Sequence, residues 1–204
     1  MNVRIAPRVS VTLAAVLLLF AFQARSEAGL VFTMDQVGSD VVVTVSGTVN
    51  TAGLTKTTET APNLGAIWPS TGLLWIAGST QTPPGTDIYE SIIGPASFGG
   101  GGVALATSGS GDEVVLDGAD GILQVPKDYI SGTAISGTMT FAGTTIAGLG
   151  ATQGTYTWTW GSGADADFAT LNVVPEPGSL ALFGLSALGV GLIAYRRRKK
   201  QQPA

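Results

Sequence analysis

The sequence contains no cysteine and no histidine. Without a thiol there can be no disulfide, no cysteine nucleophile and no thiolate metal site. Without histidine the chain lacks the usual general base and the commonest transition-metal ligand. These two absences exclude the most frequent catalytic arrangements, and we expect a protein that is not an enzyme and that uses no cofactor.

Positive charge is also scarce in the middle of the chain. Between Gly29 and Val174 the only cations are Lys56 and Lys127, against twelve acidic residues, which gives this part a net charge near −10. Such a surface repels nucleic acid and anionic lipid. It suits a soluble exported domain with no nucleic-acid partner, and it would attract divalent cations only weakly.

The N-terminal residues have the pattern of a secretory signal peptide. Two arginines precede an apolar run over Val9–Phe22, and small residues follow. Cleavage after Ala28 would place Ser26 at position −3, so residues 1–28 are predicted to be removed. Cleavage after Ser26, with Ala24 at −3, is the alternative site, and an uncleaved membrane anchor is the alternative role.

Near the C-terminus three features follow one another. Pro175 and Pro177 fix the backbone and push the preceding residues towards extended geometry, so Glu176 is held on a stiff, exposed strand. As a helix, the apolar run after it would be about 27 Å long, which is close to the thickness of a bilayer core. A transmembrane helix is therefore predicted at about 179–195. A cationic block that stays on the cytoplasmic side ends the run: Arg196, Arg197, Arg198, Lys199 and Lys200.

This order of features over residues 173–200 resembles the PEP-CTERM sorting domain. The resemblance implies a Gram-negative bacterial protein that is exported and held in the inner membrane with its ectodomain in the periplasm. It also implies processing by an exosortase, an integral-membrane cysteine protease or transpeptidase, at or near Pro175–Pro177. The released domain would then associate with the cell surface or with the exopolysaccharide of a biofilm. A permanent C-terminal membrane anchor is the alternative role for the same residues.

Residues 29–172 are predicted to form an all-β domain, an antiparallel β-sandwich of about eight to ten strands. The clearest strand is Val41–Val49, in which valines alternate with hydroxyl residues, and Leu30–Asp35 is its expected hairpin partner. Thr51–Thr60 is predicted to be an exposed loop or edge. Five further strands are predicted at Leu73–Ala77, Ile88–Ile93, Val114–Leu116, Tyr156–Trp160 and Phe168–Val173. One more strand is predicted in which Ile135, Met139 and Phe141 share one face.

Aromatic residues give the first candidate binding site. Tyr156, Trp158 and Trp160 share one face of one strand and could form a platform on which sugar rings stack. The alternative is that they fill the core, where large aromatic side chains supply much of the buried area. Trp68 and Trp75 have the same two alternatives.

Acidic residues give the second candidate site. Asp112, Asp117 and Asp120, with Glu113 beside them, could gather oxygen ligands for calcium, although the spacing does not fit an EF-hand loop. The alternative is a set of acidic turns on a negative surface, and this applies also to Asp165 and Asp167. A glycan-binding surface module is therefore the second functional hypothesis. A polysaccharide-modifying enzyme with two facing carboxylates is the third.

Overall fold

The computed structural model describes residues 29–60, 65–77 and 85–174. In these ranges the chain forms strands joined by turns and three short 3-10 helices, at Thr51–Gly53, Pro69–Thr71 and Gly163–Asp165. The strands are β1 (Leu30–Val37), β2 (Asp40–Gly47), β3 (Thr55–Thr60), β4 (Ala66–Trp68), β5 (Leu73–Ile76), β6 (Thr86–Glu90), β7 (Ala104–Leu105), β8 (Ser108–Gly111), β9 (Val114–Asp117), β10 (Ile122–Pro126), β11 (Ile135–Phe141), β12 (Gly154–Trp160) and β13 (Asp167–Val173). The prediction of an all-β domain is confirmed.

The strands form two sheets that enclose one hydrophobic core. One sheet has the order β12-β13-β1-β2-β11-β8, and the other has the order β3-β6-β10-β9-β5-β4-β7. The core combines residues of both sheets, such as Phe32 and Met139 from the first and Leu74 and Leu123 from the second. The described strands outnumber the eight to ten that were predicted, because short ones such as β7 and β8 carry little apolar alternation.

One strand pairing differs from the predicted antiparallel arrangement. The first and last strands of the fold, β1 and β13, are parallel neighbours, with Leu30 opposite Ala169 and Met34 opposite Val173. All the other strand pairs described are antiparallel. The sequence pattern shows which face of each strand is buried. It does not show whether a strand more than a hundred residues away pairs in parallel or antiparallel, so this pairing was not predictable.

The predicted first hairpin is present. β1 and β2 pair antiparallel from Leu30↔Gly47 to Val37↔Asp40, and the turn between them has Gly38 at a positive φ of 63°. Residues of both strands alternate between the core and the surface, as the sequence pattern requires. Thr55–Thr60 is an edge strand, which also agrees with the prediction for that region.

The strand predicted at Ile88–Ile93 is shifted towards the N-terminus. β6 covers Thr86–Glu90, and Ser91, with φ of 85°, ends it. Ile93 lies outside the strand with 76% of its surface exposed, and its backbone forms an isolated bridge with Thr159. The apolar character of Ile92 and Ile93 therefore extended the prediction beyond the point at which the backbone leaves the sheet.

A buried ion pair joins the edge strand β3 to its neighbour β6. Asp87 Oδ1 lies 2.9 Å from Lys56 Nζ, and the Asp87 side chain is only 2% exposed against 42% for Lys56. Asp87 Oδ2 accepts a hydrogen bond from the backbone N–H of Asp128, which has a positive φ of 59°. The Asp87 carboxylate thus contacts both the edge strand β3 and the turn at Asp128.

A second buried carboxylate connects β13 to the segment that follows β2. Asp167 Oδ2 accepts from Asn50 N at 2.6 Å, and Oδ1 accepts from Phe168 N at 2.8 Å. The carbonyl of Asn50 in turn accepts from Trp160 Nε1 at 2.9 Å. Burial raises the pKa of Asp167 above its ordinary value and outweighs the two backbone N–H groups, which lower it.

The Lys56–Asp87 pair leads to a stability prediction. Replacing Lys56 with Met leaves the Asp87 carboxylate buried without its cation, so we expect the free energy of unfolding to fall by about 1–3 kcal/mol. Urea unfolding followed by tryptophan fluorescence measures this loss. The double variant Lys56→Met/Asp87→Asn should recover part of it, and a Lys56→Met protein within about 0.5 kcal/mol of wild type would contradict the role of the pair.

Asp167 leads to a prediction about pH. Because its pKa is raised in the folded state, its stabilising contribution is present below the unfolded pKa and is lost as pH rises through the folded pKa. Asp167→Asn cannot titrate, so we expect the advantage of wild type over this variant to grow between pH 7 and about pH 4. Urea unfolding at several pH values checks this. Asp165→Asn is the control, because it removes one exposed carboxylate. If the difference in unfolding free energy between wild type and Asp167→Asn becomes smaller on acidification, the predicted direction of the pH dependence is wrong.

Candidate functional site at the end of the last strand

The last strand, β13, ends immediately before the proline-containing segment. In β13 every second residue from Asp167 to Val173 is buried, and the strand lies between β12 and β1. Val174 continues the pairing, since its N–H donates to the carbonyl of Met34 at 3.0 Å. The described fold therefore extends to the residue that immediately precedes Pro175.

A shallow depression of about 470 Å³ lies at the same end of β13. Thr155 Oγ1 donates to Asn172 Oδ1 at 2.9 Å within it. The described residues that line it carry no charged side chain: Gln153, Gly154, Thr155, Asn172, Val173 and Val174.

Gln36 stiffens this end of the molecule. It lies two residues beyond Met34 on β1, and its Nε2 donates to the carbonyls of Gly38, Asp40 and Thr144. Its Oε1 accepts from Ile146 N at 3.1 Å. One side chain thus ties the β1–β2 turn to the loop that follows β11.

Asp40 adds a further contact at this end. Its Oδ1 accepts from Gly143 N at 2.9 Å and from Ser39 Oγ at 3.0 Å, and these two hydrogen bonds lower the pKa of the Asp40 carboxyl. With Gln36, the carboxylate holds the turn and the loop in one arrangement beside the point where the chain leaves the domain.

The predicted sorting and targeting residues lie outside the described residues. This applies to the signal peptide with Ser26 and Ala28, to Pro175–Pro177, to the apolar run at about 179–195 and to the cationic block 196–200. Among the residues that are described, no helix has the length and apolar character needed to cross a membrane.

The aromatic row on β12 is part of the core. Trp158 is fully buried and Trp160 is 3% exposed, and their indole N–H groups donate to the carbonyls of Pro95 and Asn50. Tyr156 is half-buried, with its ring edge-on to Phe98 at a centroid distance of 6.2 Å. The hypothesis of a sugar-stacking platform on this strand is therefore wrong, because the row faces the opposite sheet.

The candidate calcium ligands have structural roles instead. Asp112 Oδ2 accepts from Ser136 N, and Asp117 Oδ1 accepts from the backbone N–H groups of Ala119 and Asp120. Burial raises the pKa of Asp117, against the lowering effect of these two N–H groups. Over the described ranges no three acidic side chains come together to hold a metal ion, so the structure does not assemble Asp112, Asp117 and Asp120 into a calcium site.

Two features were not found from the sequence. The Lys56–Asp87 ion pair joins residues of different strands, and nothing in the sequence indicates their register. Trp68, for which the sequence allows either core or surface, is 40% exposed, while its neighbour Ile67 is fully buried. Both residues are apolar, so alternation alone does not show which of them faces the core.

Comparisons with known proteins identify the segment that follows this site. A family model described as the PEP-CTERM protein-sorting motif matches residues 173–199. Neither the curated proteins nor the solved structures that were searched contain a match to the chain. The matched residues begin at Val173, the last residue of β13, and include Pro175–Pro177, the apolar run and the first four cations of the block. The chain is therefore a PEP-CTERM sorting domain-containing protein.

Proposed function

We propose that this protein is exported, anchored in the inner membrane by its apolar C-terminal run, and processed by an exosortase near Pro175–Pro177. The PEP-CTERM motif at residues 173–199 carries this proposal, because that motif supports exosortase-dependent sorting of an exported protein. In this function the chain is a substrate of the exosortase and does not catalyse a reaction of its own.

The fold supports the proposal through the position of the motif. Five residues separate Val174 from Leu180, and the six Cα–Cα steps between them reach about 20 Å when the chain is fully extended. With the apolar run in the membrane, the end of the domain that carries Gln36 and the depression at Gly154 lies within that distance of the bilayer surface. The exosortase would therefore act close to a folded surface.

The two sheets with a common core support a β-sandwich ectodomain that persists after processing. Its net charge near −10 disfavours binding to anionic lipid once the anchor is lost. We propose that the released domain moves to the cell surface or extracellular matrix and associates there with exopolysaccharide. Exposed hydroxyl residues such as Thr155, Thr157 and Thr159 on β12 offer polar contacts for such an association.

Processing leads to the main prediction. We expect Glu176→Gln to accumulate as the full-length chain in the inner membrane, because the change removes the charged side chain of the Pro175–Pro177 motif by which the exosortase would recognise the segment. Cell fractionation and intact mass, in a host with and without an exosortase, measure the location and the cleavage. Glu90→Gln, which changes an exposed carboxylate on β6, is the matched control and should be processed normally.

The host without the exosortase should retain wild-type chain in the inner membrane in the same full-length form. If the released, shortened form is produced equally in both hosts, the exosortase is not the processing enzyme. If the full-length chain stays in the membrane in both hosts, the segment is a permanent anchor and the proposal fails.

A further inference from the structure

The outer surface of the seven-stranded sheet carries two tryptophans near one edge. Ile67 on β4 and Leu74 on β5 are fully buried and face the core. Because side chains alternate along a strand, Trp68, Leu73 and Trp75 lie on the opposite surface. Trp68 is opposite Leu73 in the β4–β5 pair, so the two tryptophans are diagonal neighbours on one surface.

This surface continues onto the edge strand β7. Leu105 is opposite Ala66, which lies two residues from Trp68 on the same strand and therefore on the same face. Trp68 is 40% exposed, Leu105 is 62% exposed and Val103, which immediately precedes β7, is 58% exposed. We use the name Trp68 face for the surface formed by Trp68, Leu73, Trp75, Val103 and Leu105.

Polar groups contact both tryptophans and border the face. Trp75 Nε1 donates to Glu113 Oε1 at 2.9 Å, which sets the orientation of the indole. The backbone of Trp68 is held by Thr71, whose Oγ1 donates to the Trp68 carbonyl at 3.2 Å. Asp117 is opposite Leu73 on the next strand, so a second carboxylate lies beside the face. The face therefore combines two indole rings, of which that of Trp75 is oriented by a hydrogen bond, with carboxylate acceptors at its border.

The size of the face limits what can occupy it. With about 150–250 Å² for a whole aromatic side chain as an upper measure, the exposed parts of Trp68, Val103 and Leu105 amount to at most on the order of 300 Å², and the half-buried Leu73 and Trp75 add a smaller area. A stable interface between two proteins buries about 800 Å² on each partner. The Trp68 face is too small for a second copy of the chain, but it matches the area of one or two sugar rings.

The charge around the face limits the ligand further. The cations between residues 29 and 174 are Lys56, on β3 at the other edge of the sheet, and Lys127, which follows β10. The carboxylates of Glu113 and Asp117 border the face itself, so a polyuronate or a sulfated chain would be repelled. A neutral ligand with hydroxyl donors fits this combination.

We propose that the Trp68 face is a binding site for a neutral glycan. A sugar ring would place its C–H face on the indole of Trp68, which removes apolar surface from water, and would donate hydroxyl hydrogen bonds to the bordering carboxylates. This inference rests on the proposed delivery of the domain to the outside of the cell, where such chains occur. It names the surface and the chemical class of the exopolysaccharide that the domain would contact.

The test uses the full-length chain in detergent on an array of neutral hexose, deoxyhexose and N-acetylhexosamine oligosaccharides, with alginate as the anionic comparison. We expect binding to neutral oligosaccharides and not to alginate. For the oligosaccharide that binds best, titration calorimetry should show at least about 10-fold weaker binding by Trp68→Ala. Ile93→Ala, which truncates a side chain 76% exposed elsewhere on the surface, should bind like wild type.

Leu105→Asp provides a second variant in case Trp68→Ala fails to fold. It places a charge on an exposed edge position and should weaken binding in the same way. The proposal is overturned if no neutral oligosaccharide binds at millimolar concentration, if alginate binds best, or if both variants bind like wild type. It is also overturned if ultracentrifugation shows that the face joins two copies of the chain. None of these measurements depends on the exosortase, so their failure leaves the processing experiment intact.

Discussion

The parallel pairing of β1 with β13 is the contact on which the rest of the structure depends. It joins strands that begin at Leu30 and end at Val173, so every other described element lies in sequence between its two halves. Bringing such distant segments together lowers the conformational entropy of the chain, and this cost is offset only when the core is complete. Because the pairing is parallel, the chain enters the sheet at one end and leaves it at the other. The sorting motif therefore begins where the fold is completed, with no spacer between them.

This arrangement connects the fold to the proposed processing. At this end of the fold the Gln36 hydrogen bonds hold the β1–β2 turn against the loop that follows β11, and the Val174–Met34 hydrogen bond holds the exit point of the chain on β1. A cut beyond Val174 would leave these contacts unchanged. In the proposed function, the negative charge of the domain and the loss of the anchor would then favour its departure from the membrane. The released domain would then bind a neutral glycan through the Trp68 face.

The sequence was informative wherever one face of a strand is apolar and the other is polar. The β1–β2 hairpin and the strands β12 and β13 follow from that alternation, but the alternation left open whether the aromatic row of β12 faces the core or the surface, and the structure places Trp158 and Trp160 in the core. Where neighbouring residues are all apolar, as at Ile67 and Trp68, the pattern does not distinguish the core from the surface. The parallel β1–β13 pair and the Lys56–Asp87 ion pair depend on register between distant strands, which local patterning does not encode.

The most direct test of this account is the cooperative unfolding of residues 29–174 expressed without the terminal segments, compared with residues 29–166, which lack β13. If β1 and β13 close a self-sufficient domain, the longer fragment unfolds in urea in a single cooperative transition and the shorter one shows none. If the longer fragment shows no cooperative transition, the domain needs its terminal segments. If the shorter fragment unfolds like the longer one, β13 does not complete the fold. Either of these two results would contradict the account.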